Sequence, residues 1–140
     1  MKSRSSGILI RYLRSLYDKK FSLLAEHSYY ATILQGEYPY VAEIFKSLVS
    51  SDMEGLSRLG GLLFTEGIDP ALDIRVRFRG CRGENIDRII TSELARLRRE
   101  IDSVERIHAL TDDPIICEAA EKMRMEISEN IKVFERILHS

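Results

Sequence analysis

Residues 41–62, VAEIFKSLVSSDMEGLSRLGGL, contain the pattern that decides the fold. Apolar side chains recur there every three, four or seven residues, which is the spacing of one face of an α-helix. The residues on this face are Val41, Phe45, Leu48, Asp52, Gly55, Leu59 and Leu62. Asp52 and Gly55 stand at its centre, where leucine would be expected. The segment therefore predicts a long amphipathic helix whose apolar face has a polar interruption in the middle.

Three further segments show the same periodicity, one from about residue 8 to residue 34 and two that begin near residues 85 and 114. Their apolar faces comprise Leu13, Leu16, Leu23, His27, Tyr30 and Leu34 in the first; Ile86, Ile90, Glu93, Leu97, Ile101 and Val104 in the third; and Ile116, Ala120, Met123, Ile127, Asn130, Phe134 and Ile137 in the fourth. Each segment is long enough for a helix of roughly 25 residues.

Glycine, proline and aspartate separate the four segments. Gly36 and Pro39 lie between the first and second, and Asp113 with Pro114 begins the fourth, because aspartate caps helix N-termini and proline is tolerated at the first helical position. We expect an all-α fold, an antiparallel four-helix bundle of two helical hairpins joined by a long crossover. We expect one domain over residues 1–140, with residues 1–7 flexible and residues 67–83 forming a crossover arm.

The amino-acid composition and net charge indicate which broad classes of protein this chain resembles. The chain has 140 residues, 44% of them hydrophobic and 31% charged, with a formal net charge of -1. This balance favours a soluble globular protein and gives no indication of binding to nucleic acid or to an anionic membrane. The first apolar stretch is interrupted by Arg11 and Arg14, so it predicts neither a signal peptide nor a membrane span. Two cysteines, Cys81 and Cys117, favour a reducing cytoplasm over a disulfide framework.

The polar residues on the apolar faces indicate a former ligand site. A buried carboxylate such as Asp52 or Glu93 costs several kcal/mol unless it is paired or bound to metal. The segment DMEGLSRLG, residues 52–60, resembles the pattern Glu-Met-x-His-Leu-x-x-Leu-Gly, and EISENI, residues 126–131, resembles Asp-Glu-x-x-His-Ile. These patterns belong to the ferritin-like superfamily, and the chain resembles most closely its bacterial rubrerythrin- and bacterioferritin-related branch. The dipeptide Asp-Pro also occurs at residues 69–70 and 113–114. Members of this branch have it at the same places, after helix 2 and before helix 4.

This resemblance implies a dimetal centre that has lost most of its ligands. The family has one glutamate in helix 1, Glu-x-x-His in helix 2, one glutamate in helix 3 and Glu-x-x-His in helix 4. In that order, the corresponding residues here are Leu23, Asp52, Gly55, Glu93, Ile127 and Asn130. Only Asp52 and Glu93 remain as residual metal-ligand positions, and two carboxylates are too few for two divalent ions. If Asp52 and Glu93 face each other, we expect one of them to share a proton or to bond to Asn130, Tyr29 or Tyr30.

Two functions remain open from the sequence. In the first, the bundle is a non-catalytic structural, partner-binding or oligomerising protein that needs no cofactor. In the second, it is an iron- or manganese-dependent oxidoreductase or an iron-handling protein. A rotated helix register would supply its displaced carboxylates, namely Glu26, Asp52, Glu93, Glu126 and Glu129. We expect His27 to be a hydrogen-bonded core residue rather than a ligand.

The sequence also predicts association, most simply as a homodimer and otherwise with a protein partner. Apolar residues outside the main faces, Ile10, Tyr17, Phe21 and Ile44, would provide exposed contact area. In the crossover, Ile74, Val76 and Phe78 alternate with Arg75, Arg77 and Arg79. That strand-like alternation fits either an extended arm with solvated arginines or a second contact surface.

Overall fold

The protein is all-helical over the part of the chain that the structure describes, a computed structural model covering residues 7–70 and 85–139. The four helices are α1, Gly7–Ile33; α2, Pro39–Thr65; α3, Ile86–Leu110; and α4, Pro114–Leu138. Helices make up 87% of the described residues, and no strand occurs among them. The all-α prediction is confirmed. The first, third and fourth helices begin within about one residue of the predicted positions, and α2 extends two to three residues beyond each end of the pattern at residues 41–62. Of the predicted flexible segment, residues 1–7, only Gly7 lies among the described residues, and α1 begins there. Residues 71–83 of the predicted crossover arm, residues 67–83, lie outside the described residues.

Local chemistry explains where three of the helices begin or end. At the start of α4, the Asp113 side chain accepts a hydrogen bond from the Ile115 amide at 2.9 Å. Asn85 caps α3 in the same way, accepting from the Asp87 amide at 2.7 Å. Gly67 follows the end of α2 with a φ of 81°, a left-handed conformation that glycine adopts without steric cost. These residues satisfy backbone groups that a helix end leaves unpaired.

The chain forms two compact units. The first comprises residues 13–70 of the described chain, most of α1 together with α2. The second comprises residues 7–12, the start of α1, together with α3 and α4. Among the four described helices, none has an uncharged apolar stretch of the length that crossing a membrane requires.

In the first unit, α1 and α2 pack as an antiparallel hairpin. The Tyr30 and Phe45 rings lie 5.1 Å apart between centroids near one end of the pair. Near the other end, a Cβ atom placed on Gly60 would come within 3.3 Å of the Tyr17 ring, so glycine permits this close approach. The predicted apolar faces of both helices are confirmed, because every residue assigned to them between Leu13 and Leu62 is buried.

In the second unit, α3 and α4 form an antiparallel hairpin across a short connection at residues 111–113. Arg98 on α3 donates a hydrogen bond to Glu135 on α4 at 3.2 Å. Arg106 on α3 donates to the hydroxyl of Tyr12, which belongs to the start of α1, at 3.1 Å. The core of this unit includes Ile107 and Phe134, both completely inaccessible to solvent.

Some predicted exposures were wrong. Tyr17 is buried because its ring packs over Gly60 and edge-on against Phe21 at 5.2 Å. On α3, Glu100 is buried, whereas the predicted core residue Ile101 is only half-buried. The period of α3 allows either residue to follow Leu97 on the apolar face, and an ion pair on the inner side stabilises Glu100 there.

The assignment of Asp113 as the N-cap of α4 can be tested directly. Replacing Asp113 with alanine removes the acceptor for the Ile115 amide and should lower the free energy of unfolding by about 1 kcal/mol. Urea unfolding monitored by circular dichroism measures the change. The matched control is Asp112→Ala, which removes the neighbouring exposed carboxylate and should leave stability within about 0.5 kcal/mol. Equal losses in the two variants would contradict the cap assignment.

Candidate functional site

A buried histidine–aspartate pair joins α1 to α2 at the polar interruption. His27 Nδ1 lies 2.5 Å from Asp52 Oδ2, and the two residues are only 1% and 3% exposed. An ionised carboxylate can only accept, so Nδ1 of His27 bears the hydrogen and donates it. A hydrogen bond to a charged group is among the stronger ones in proteins, and it here satisfies a carboxylate inside an apolar face. The prediction that His27 is a hydrogen-bonded core residue is confirmed.

Lys20 supplies the charge that Asp52 needs. Its ammonium Nζ lies 3.7 Å from Asp52 Oδ1, whereas His27 contacts Oδ2. The Lys20 side chain is only 16% exposed, so most of it is covered by protein. Both oxygens of Asp52 are thus engaged by side chains of α1.

Gly55 makes room for this lysine. A Cβ atom on Gly55 would lie 3.3 Å from Cε and 3.6 Å from Cδ of Lys20. In the family resemblance, Gly55 stands where helix 2 has its histidine ligand, and the Lys20 side chain occupies the adjoining space instead. Leu23, which stands at the helix 1 glutamate position, is buried.

Glu93 has an equivalent arrangement within α3. Arg96, one turn further along, pairs with both carboxylate oxygens of Glu93, through Nη2 to Oε1 and through Nε to Oε2, the latter at 3.4 Å. Arg96 Nη1 also donates to Glu100 Oε2 at 2.9 Å. The guanidinium therefore bridges two buried carboxylates, a geometry that its planar set of donors suits well.

On α4, the two positions of the resemblance differ in burial. Ile127, at the glutamate position, is buried, and Asn130, at the histidine position, is half-buried. Of the displaced carboxylates, Glu126 is half-buried and Glu129 is exposed, with an ion pair to Lys132 at 3.6 Å. The helix register that places Ile127 inward and Glu129 outward is the one expected from the apolar periodicity.

An exposed ion pair on α4 shows by contrast how surface charges behave here. The Arg124 guanidinium lowers the pKa of Glu121 below its ordinary value, chiefly through the side-chain hydrogen bond between them. The same contact raises the pKa of Arg124. Such solvated pairs add little to stability, whereas an unpaired buried carboxylate would be costly.

These residues do not fit a dimetal group. Over residues 7–70 and 85–139, no three or more histidine, cysteine, aspartate or glutamate side chains converge on a position where they could hold a metal ion. The partners of Asp52 that the structure shows are His27 and Lys20. A metal ion at this carboxylate would compete with their positive or hydrogen-bonding groups.

Sequence reasoning missed the cations, although the signals were present. Lys20 falls three residues before Leu23 and seven before His27, so it fills the gap in the apolar face of α1 between Leu16 and Leu23. Arg96 follows Glu93 by three residues and Glu100 follows Arg96 by four, the spacings typical of helical ion pairs. A search for opposite charges one turn apart would have found Arg96, whereas Lys20 pairs with a residue of another helix.

A comparison of the chain with models of known protein families finds no match, and no curated protein matches it either.

The pairing of Asp52 yields a stability prediction. Asp52→Asn keeps the shape of the side chain but removes the charge that Lys20 and His27 engage, so we expect the free energy of unfolding to fall by about 2 kcal/mol. Chemical denaturation measures it. Asp102→Asn makes the same chemical change at an exposed position of α3 and serves as the control, with an expected effect within about 0.5 kcal/mol. An Asp52→Asn protein as stable as the parent would show that the charge is not held by these contacts.

Proposed function

We propose that this protein is a ferritin-like four-helix bundle without a metal centre, acting as a non-catalytic structural and interaction module that forms homodimers. The observation that supports this most directly is the state of the two carboxylates at the residual ligand positions. Asp52 is engaged by Lys20 and His27, and Glu93 by Arg96. Side-chain cations supply the positive charge that metal ions would bring to such positions.

The charge argument favours a permanent replacement of metal by side chains. A divalent ion stabilises a cluster of buried carboxylates because it neutralises them and provides several bonds at once. A lysine or arginine one turn away neutralises a single carboxylate and is covalently attached, so no loss of metal can undo it. Binding a metal at Asp52 would bring an ion beside the Lys20 ammonium, and like charges repel at short distance.

Burial argues against catalysis by the same groups. A general acid or base must come within hydrogen-bond reach of its substrate, yet His27 is 1% exposed and lies under the ring of Phe45 at 5.6 Å between centroids. The histidine and aspartate are therefore placed to stabilise the hairpin rather than to meet a substrate. The low cysteine content supports a cytoplasmic location for such a module.

The rival function, an iron- or manganese-dependent enzyme, needs carboxylates from the displaced set. Glu129 is exposed and paired with Lys132, which is the usual state of a solvated surface glutamate. The contact of Glu129 with Lys132 does not favour the metal-dependent enzyme. That function is therefore the competing outcome of the test.

The test is a thermal unfolding series with added iron(II), manganese(II) or zinc(II). We expect the parent melting temperature to stay constant, and protein purified without chelators to contain no stoichiometric metal. A matched variant should behave differently. Gly55→His with Lys20→Ala adds an imidazole one turn from Asp52 and removes the competing ammonium, leaving three potential ligands together with His27.

This variant should be stabilised by metal, by about 2.7 kcal/mol when free metal is a hundredfold above its dissociation constant, because the ion binds only the folded state. Stoichiometric metal in the parent, with a metal-dependent rise in its melting temperature, would contradict the proposal and favour the enzyme.

A further inference from the structure

The outward side of α2 differs from the other helix surfaces in having few charges and prominent apolar groups. We define the outer face of α2 by the exposed residues on the side away from its apolar face, with Tyr40 at the edge of this side: Tyr40, Glu43, Lys46, Ser50, Met53, Glu54, Ser57, Gly61 and Phe64. Tyr40 is 72% exposed and Met53 is 59% exposed. Large apolar side chains at such exposure, next to serine and glycine, are typical of a contact surface.

Within residues 7–70 and 85–139, the charged residues of this face form no ion pair. They are Glu43, Lys46 and Glu54, all three exposed. Exposed lysines on α4 behave differently, since Lys122 pairs with Glu118 at 3.7 Å. Over the described residues, the outer face of α2 therefore presents one cation and two anions that have no ion-pair partner.

That arrangement is self-complementary under two-fold symmetry. Lys46 precedes Ser50 by four residues and Glu54 follows it by four, so the two charges flank Ser50 on one side of the helix. When two copies of α2 run antiparallel about an axis beside Ser50, each Lys46 faces Glu54 of the partner subunit. The dimer then contains two Lys46–Glu54 ion pairs, and the small Ser50 side chain permits close approach of the helices.

Shape is complementary in the same register. Tyr40 lies ten residues before Ser50 and projects from the helix, whereas Gly61 lies eleven residues after it. No atom lies within 4 Å of a Cβ placed on Gly61, so the backbone there is open from outside. In the antiparallel pair each Tyr40 ring reaches the partner's Gly61. A tyrosine over an open glycine buries a large apolar area at low cost in side-chain entropy.

We infer that the outer face of α2 binds a second copy of this chain, as an antiparallel pair of α2 helices centred on Ser50. The inference rests on the proposed function as an interaction module and names the partner and the register. Because Lys46 and Glu54 are two turns apart in one chain, their pairing can only be between copies.

The experiment is sedimentation analysis of the full chain at low ionic strength. The parent should be a dimer. Lys46→Glu and Glu54→Lys each turn two attractive pairs into two repulsive ones, so each variant alone should dimerise at least about tenfold more weakly. An equimolar mixture of the two variants should recover dimers, because every contact in the mixed pair again joins opposite charges. Lys122→Glu, a reversal on α4, is the control and should leave the dissociation constant unchanged.

A second variant separates association from folding. Gly61→Arg places a long cation on the outer face, where no atom of the described residues lies within 4 Å of the added Cβ. Arginine also has a higher helix propensity than glycine. The melting temperature of the dissociated monomer should therefore not fall, while the dissociation constant should rise at least about tenfold.

Each contrary result overturns the inference. If the parent is a monomer, the outer face of α2 does not bind a second copy of this chain, and another protein would be its partner. Single variants that dimerise like the parent, a mixture that stays monomeric, or an unaffected Gly61→Arg dimer would each place the interface elsewhere. None of these results bears on the metal-free assignment, which the unfolding series with added metal tests separately.

Discussion

The structure of the first hairpin depends on one constraint, which is that a carboxylate inside an apolar helix face must be neutralised. Asp52 occupies the centre of α2 and is almost fully buried. Its two oxygens take their partners from α1, so the same contacts that neutralise the charge also fix how the two helices pair. Breaking one partner of a buried pair leaves an uncompensated charge, which is why such a cluster specifies a register.

The neighbouring sequence accommodates that constraint. Gly55 leaves the space through which the Lys20 side chain reaches Asp52. Glu93 in the second unit meets the same requirement with a different geometry, since Arg96 is on its own helix and also bridges to Glu100. Both solutions use a long cationic side chain that is mostly covered by protein, since the Lys20 and Arg96 side chains are only 16% and 20% exposed. Because a side-chain cation pairs with each of the two buried carboxylates, a scaffold without metal is a coherent proposal.

The sequence predicted the helices well because their faces follow a strict period and their ends have standard caps. Asp113 and Gly67, for example, mark ends by local chemistry that does not depend on the rest of the fold. Partners inside the core were harder to predict. A periodicity analysis that counts only apolar residues assigns Lys20 and Glu100 to the surface, although each side chain is buried or nearly so through pairing. Burial of Tyr17 depended on a glycine of another helix, Gly60, which no local pattern reveals.

A double-mutant cycle between Lys20 and Asp52 tests the central claim most directly. Lys20→Met retains the apolar stem without the charge, Asp52→Asn retains the shape without the charge, and the doubly substituted protein completes the cycle. Unfolding free energies of the four proteins give the coupling between the two side chains, free of effects that each substitution has alone. The account predicts a favourable coupling of about 1 kcal/mol or more. Additivity to within about 0.3 kcal/mol would contradict it, because Asp52 would then be stabilised without the lysine.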